Sequence, residues 1–186
     1  MPATAYVAFL RGINLGRRRL KMERLRALVV ELGHRDVATF IASGNVLFAS
    51  GARDRGGLES RIERHLAKAL GYEVDTFVRT RAEVAAVAAA RPFAAADLDH
   101  PEHTVHVGFL KAPLPADTAR RLAALRTETD AFSVAGREFY WLCRIRSSDS
   151  EIWRSPGMRA LRLPTVTLRN LRMLRKLAAQ FPAAAP

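Results

Sequence analysis

The sequence predicts an α+β protein with a ferredoxin-like (βαββαβ) N-terminal domain over residues 1–80, a connecting helix and linker over 81–100, and a smaller α+β domain over 101–186. Three observations predict it. Short apolar runs rich in aromatic and β-branched residues alternate with stretches of helical period in the first eighty residues. Glycines close both of those helical stretches. A Ser-Gly-Asn turn divides the middle pair of apolar runs into a hairpin.

Residues 6–10 (YVAFL) form a short apolar run that stops at Gly12, as a buried strand does. Met22, Leu25, Leu28, Val29 and Leu32 then recur at helical spacing, with Gly33 placed as a left-handed C-terminal cap. Residues 37–42 and 46–49 are two further strands, separated by Ser43, Gly44 and Asn45. Leu58, Ile62, Leu66 and Ala69 or Leu70 mark a second helix, ended by Gly71, and Val74, Phe77 and Val78 supply the fourth strand. Two strand-helix-strand crossovers around a hairpin leave little freedom of winding. They put strands one and three at the centre of the sheet, so residues 11–16 and 43–45 meet on one edge.

Thr80 and Glu83 form a capping box that opens an alanine-rich connecting helix. Residues 104–110 (TVHVGFL) begin the second half as a strand, followed by a helix carrying Ala119, Leu122 and Leu125. Residues 132–134 and 139–142 flank Ala135-Gly136, a second hairpin. Residues 143–163 have no sustained period and are read as irregular. Residues 165–168 are a last strand, and Leu171, Leu174, Leu177 and Phe181 make a final amphipathic helix with Asn170 as its cap. The second half partly repeats the strand-helix-hairpin order of the first, with no repetition visible in the residues themselves.

A chain of 186 residues with 49% hydrophobic content buries a real core. Its opening residues do not resemble a signal peptide, and no apolar run reaches the ~20 residues of a membrane span. One cysteine, Cys143, excludes an internal disulfide and a multi-cysteine zinc site. The expectation is a cytoplasmic protein without a membrane partner. The net charge of +12 attracts polyanions and acidic ligands. All positive residues but four lysines are arginines, in a chain crowded with alanine. GC-rich coding produces the same bias, so the charge reads equally as composition or as a binding footprint.

The loop LRGINLGRRRLKM leads from a strand to a helix N-terminus, where unpaired N–H groups and the helix dipole favour an anion. Arg11, Gly12, Asn14 and Gly16 lie in it. It matches neither the dinucleotide fingerprint nor the phosphate loop, because the G-K-[ST] ending is missing. A tight turn with solvated arginines is the plain structural alternative. Ser43, Gly44 and Asn45 are a turn by composition, raised in interest by their neighbour loop, and the amides of Asn14 and Asn45 are candidates to face one cleft. Ser43 has no partner at nucleophile spacing. Asp97, Asp99, His100, His103 and His106 bunch together, yet a strand-boundary loop with solvated imidazoles is favoured over a metal site. Cys143 ends the apolar run FYWLC and reads as an inert buried thiol. Strand one is apolar on both faces, which suits a sheet covered on both sides and disfavours an open RNA-binding platform.

The stretches YVAFLRGINLG, IASGNVLF and TLRNLRMLRKLAA, with the helix closed by Gly33, together resemble the bacterial proteins grouped as domain of unknown function 1697. The resemblance implies an α+β protein with a ferredoxin-like N-terminal part, and no established activity. By position it points to Arg11, Gly12, Asn14 and Gly16, to Ser43, Gly44 and Asn45, and to Thr167, Arg169 and Asn170. Two places depart from such proteins: Arg17 stands where a second glycine is common, and Leu171 where a tryptophan follows the Arg-Asn pair.

The first functional expectation is a small anionic or phosphate-bearing ligand in a cleft between residues 11–16 and 43–45, with no cofactor and no metal. The alternatives are sequence-tolerant nucleic-acid binding through the arginine surface, and an enzyme on a phosphorylated substrate for which no catalytic residue is identified.

Overall fold

The computed structural model describes residues 3–14, 19–41 and 44–182. It is a mixed α+β structure with two four-stranded antiparallel sheets. The chain divides into two compact units, Met1–Ala86 with Leu177–Pro186, and Val87–Lys176. Among the described residues no helix is long and apolar enough to cross a membrane.

The first unit runs β1 (Thr4–Arg11), α1 (Met22–Glu31), β2 (Arg35–Thr39), β3 (Asn45–Ser50), α2 (Arg55–Leu70), β4 (Asp75–Thr80) and the start of α3 (Arg81–Ala89). Its sheet order is β2-β3-β1-β4. Successive strand residues point to opposite faces. Tyr6, Ala8 and Leu10 therefore join Val46, Phe48 and Val78 in one core with Leu25, Leu28 and Val29 of α1 and Leu58, Ile62 and Leu66 of α2. Val7 and Phe9 turn the other way with Leu47 and Phe77, and these four are fully buried too. Both faces of the sheet are thus covered, as the unbroken apolar run of strand one predicts. Gly33 (φ +79°) and Gly71 (φ +76°) close α1 and α2 in the left-handed conformation that glycine adopts without strain.

β4 is an edge strand, and side chains seal it. The N–H of Thr76 donates to Glu63 Oε1 at 2.8 Å, that of Val78 to Glu59 Oε1 at 2.7 Å, and that of Thr80 to Glu83 Oε2 at 2.8 Å. Glu83 N–H donates back to Thr80 Oγ1 at 3.1 Å, which completes the capping box the sequence predicts.

The second unit takes in α4 (Ala95–Leu98), β5 (Thr104–Phe109), α5 (Ala116–Ala124), β6 (Asp130–Ala135), β7 (Glu138–Cys143), α6 (Pro156–Ala160), β8 (Thr167–Asn170) and the start of α7 (Leu171–Gln180). Its sheet order is β6-β7-β5-β8. Leu110, Phe132, Phe139, Trp141 and Cys143 pack with Leu122 of α5 and with Ile152, Met158 and Leu161. Those last three correct the irregular reading of residues 143–163. Ile152–Arg154 is a 3-10 turn, and α6 starts from Ser155, whose Oγ accepts the Met158 N–H at 3.2 Å. Segments of three and five residues are too short to display a 3.6-residue period.

The registers also correct the impression that the halves share no residues. Val7 pairs with Arg79 as Val107 pairs with Arg169, and Tyr6 opposes Phe48 as His106 opposes Trp141. Leu10 N–H bonds Gly44 O at 2.8 Å, and Leu110 N–H bonds Arg137 O at 2.9 Å. On these anchors residues 6–11 (YVAFLR) correspond to residues 106–111 (HVGFLK), the end of β5 and the two residues after it. Ala8 opposite Val46 becomes Gly108 opposite Phe139, so the smaller residue accompanies the larger partner.

Candidate functional site

The end of β1 and the β2–β3 hairpin meet through backbone. Beyond the Leu10–Gly44 hydrogen bond, a Cβ on Gly44 would lie 2.9 Å from Ile13 Cγ2 and 3.2 Å from Leu10 Cβ, and its φ of +72° excludes most side chains. Gly12, with φ +79°, follows the last residue of β1 and leads into Ile13 beside Gly44. Arg11, Gly12, Asn14, Gly44 and Asn45 therefore belong to one corner of the first unit, while Gly16 and Ser43 lie outside the described residues.

The side chains of that corner differ in what they offer. Arg11 is exposed at the end of β1 and forms a 3.1 Å ion pair with Asp75, its cross-strand partner. Asn14 clasps the far end of its own loop: Leu20 N–H donates to its Oδ1 at 2.7 Å. Tyr72 Oη donates to Ile13 O at 3.2 Å and ties the same loop to the α2–β4 connection. Asn45 is fully buried, and its Nδ2 donates to Phe40 O at 3.0 Å, bracing the hairpin it belongs to. Beside it Ile41 is exposed with φ +49°, a left-handed conformation that a β-branched residue adopts only under constraint. α1 begins only at Met22, with Lys21 as an uncapped N-cap residue and Glu23 in its first turn.

Thr167, Arg169 and Asn170 belong to the second unit, on β8. Arg169 is buried, and its guanidinium donates to Thr167 Oγ1 at 2.8 Å and to Leu168 O at 2.9 Å. Burial pushes its pKa down to about 10. Asn170 Oδ1 accepts the Arg172 N–H at 2.8 Å, the cap the sequence predicts for α7. Sequence reasoning missed the counterpart of Arg169 in the first unit. Arg79 is fully buried on β4 and donates to Val78 O at 2.9 Å in the same way. The signal was available as F-V-R-T before one helix and T-L-R-N before the other.

Within the Asp97–His106 cluster Asp99 is exposed and His100 half-buried, whereas Asp97, His103 and His106 are packed rather than solvated. Arg144 grips Asp97 through two 2.9 Å hydrogen bonds and, despite partial burial, holds its carboxyl below the usual range. His103 Nδ1 lies 3.2 Å from Asp97 Oδ1 but out of line for a hydrogen bond, and its ring stacks on His100 at 3.8 Å. His106 stacks on Trp141 at 4.9 Å, and burial lowers its pKa. Among the described residues no three His, Cys, Asp or Glu side chains form a metal-binding group. Cys143 is fully buried, and burial raises its pKa.

A family model described as "Protein of unknown function (DUF1697)" matches residues 3–140. Among solved structures, the chain is similar to the conserved bacterial protein SP0830 from Streptococcus pneumoniae, at 19% identity and a TM-score of 0.71, covering 96% of this chain and 98% of that one. No curated protein matches.

Proposed function

The chain belongs to the DUF1697 family, whose description names no activity, and from the corner built by Arg11, Gly12, Asn14, Gly44 and Asn45 we propose that it binds a small anionic or phosphate-bearing ligand. One observation carries the reading: Arg11, exposed and ion-paired with Asp75, ends β1 next to the Leu10–Gly44 hydrogen bond that joins two glycine-turned backbones. Arg11 supplies the charge and the loop's main-chain N–H groups supply donors, the usual chemistry of phosphate and carboxylate recognition. Gly16 and Ser43 extend the same two segments. Asn14 and Asn45 act by holding the loop and the hairpin in shape.

The reading takes the first unit as ferredoxin-like, supported by its sheet order and its two strand-helix-strand crossovers. It takes the second unit as a divergent copy. The chain needs fewer than half as many residues to pass from Leu110 to Ala116 as from Leu10 to Met22. A loop longer than its scaffold requires is where function concentrates.

Arg11→Ala tests the proposal, since an exposed arginine is removable without disturbing the core. In a thermal-shift screen of inorganic phosphate, pyrophosphate, nucleotides and carboxylate metabolites, a binder raises the wild-type Tm and fails to raise that of the variant. Equal shifts in both proteins overturn the reading.

A further inference from the structure

Three of the four sheet edges are closed, each differently. β2 is broken by a register shift between Arg35 and Ala38, with Asp36 at φ +52°. β4 is sealed by Glu59, Glu63 and Glu83. β8 is only four residues long, with Arg169 bonded to the Leu168 carbonyl. These are the ways proteins protect edges from pairing with other chains.

Among the described residues β6 is covered over its first half only. Its six residues pair with β7 without interruption, and at its start the outer side is met by the Arg126–Ala131 bridge, by Thr127 N–H donating to Asp130 O at 3.0 Å and by Asp130 N–H donating to Thr127 Oγ1 at 2.9 Å. The two-residue turn between Ala135 and Glu138 fixes the phase of the ladder, so that Val134 turns both its N–H and its C=O outward. That outer side opens into a groove of about 530 Å³ floored by residues 131–134 and lined by Pro92, Phe93, Ala123, Arg126 and the Asp97–Arg144 pair. All of it lies within the second unit.

We propose that this groove is a docking site for an extended, acidic segment of a partner protein, added to the sheet as a fifth strand beside β6. The main chain of such a segment pairs with Val134, and its side chains meet Phe93 and Ala123. Charge selects an acidic strand. Arg144 is already held by Asp97, whereas Arg126 is exposed at the rim. A second copy of this chain would bring the same arginine and the same +12 charge into the groove, while an acidic segment brings the complement.

The test uses the full chain and a labelled, end-capped peptide of alternating valine and glutamate, followed by fluorescence anisotropy at physiological salt. Saturable binding is expected, with none to the lysine-for-glutamate peptide. Val134→Pro removes an outward N–H and leaves the β7 ladder intact, as proline on an edge strand does, so it weakens binding by about tenfold or more. Arg126→Glu does the same without touching the backbone. If Val134→Pro does not fold, a peptide N-methylated at alternate amides replaces it and is expected not to bind. Equal binding by the N-methylated peptide, or by Arg126→Glu, overturns the proposal. So does a concentration-dependent dimer lost in Arg126→Glu, which gives the edge to a second copy.

Discussion

At Gly108 a methyl group would collide with the Phe139 ring, because a Cβ there would stand 2.2 Å from Phe139 Cζ. The equivalent pair in the first unit is Ala8 opposite Val46, where the methyl is present and the ring is not. Gly108→Ala is therefore expected to destabilise the protein by about 1–3 kcal/mol through overpacking. Phe139→Val is expected to cost on the order of 2–4 kcal/mol through the cavity it opens. The double variant restores the pairing of the other unit and should cost clearly less than the sum, a coupling that urea-denaturation midpoints measure directly. A second residue makes stability depend on pH. His34 is buried against Phe48 at 4.6 Å, its Nε2 meets no partner, and burial together with Arg61 lowers its pKa below 6.5. The unfolded chain then binds the proton more readily than the folded one. The contribution is fully present above pH 6.5 and is lost as pH falls below it toward the depressed folded value. His34→Phe should flatten the decline of Tm below that pH, with His106 supplying a remaining part of the slope in the same direction.

The β4 edge is an element-scale device: Glu59 and Glu63, one helical turn apart on α2, take the role of a neighbouring strand. Glu59→Ala leaves the buried Val78 N–H without its acceptor and should cost about 1–3 kcal/mol, whereas Glu59→Gln keeps an oxygen there and should cost less. Faster amide exchange at Val78 in Glu59→Ala, with slow exchange retained in Glu59→Gln, checks the mechanism as well as the magnitude. Such tertiary acceptors are invisible in sequence because nothing local relates Glu59 to Val78. What was legible depended on local signals. Gly33 and Gly71 ended helices, Thr80 with Glu83 formed a capping box, and Asn170 capped α7, each readable from a few adjacent residues. The meeting of residues 10–14 with the hairpin also followed from topology. The direction of an amide did not: Asn45 faces Phe40 O because burial of the hairpin demands a partner for it, and the turn composition is equally compatible with a solvent-facing amide. The relation between β1 and β5 stayed hidden because their gapless overlap shares only Val, Phe and Leu, and the other matching positions, Phe48 with Trp141 and Arg79 with Arg169, stand at different distances from it along the two halves.

For the molecule as a whole, a charge of +12 creates a potential that attracts polyanions at low salt, and what separates a charged surface from a nucleic-acid site is whether bases take part. Recognition of single strands uses exposed aromatic rings as stacking surfaces. Here the central sheet rings Phe9, Phe48, Phe77, Phe109, Tyr140 and Trp141 are all buried, both sheets bury residues of both faces, and the half-buried Phe40, Tyr72 and Phe93 lie apart from those strands. Binding to a labelled oligonucleotide is therefore expected to fall steeply with salt, and an abasic strand of equal length should bind as tightly as the complete one. A flat salt dependence, or a marked loss on removing the bases, would contradict a purely electrostatic surface. Arg11→Ala separates this behaviour from a small-ligand site. One exposed arginine among thirty basic residues removes at most one phosphate contact, lowering the salt slope by no more than about 0.9, whereas a discrete site built on Arg11 loses its ligand altogether.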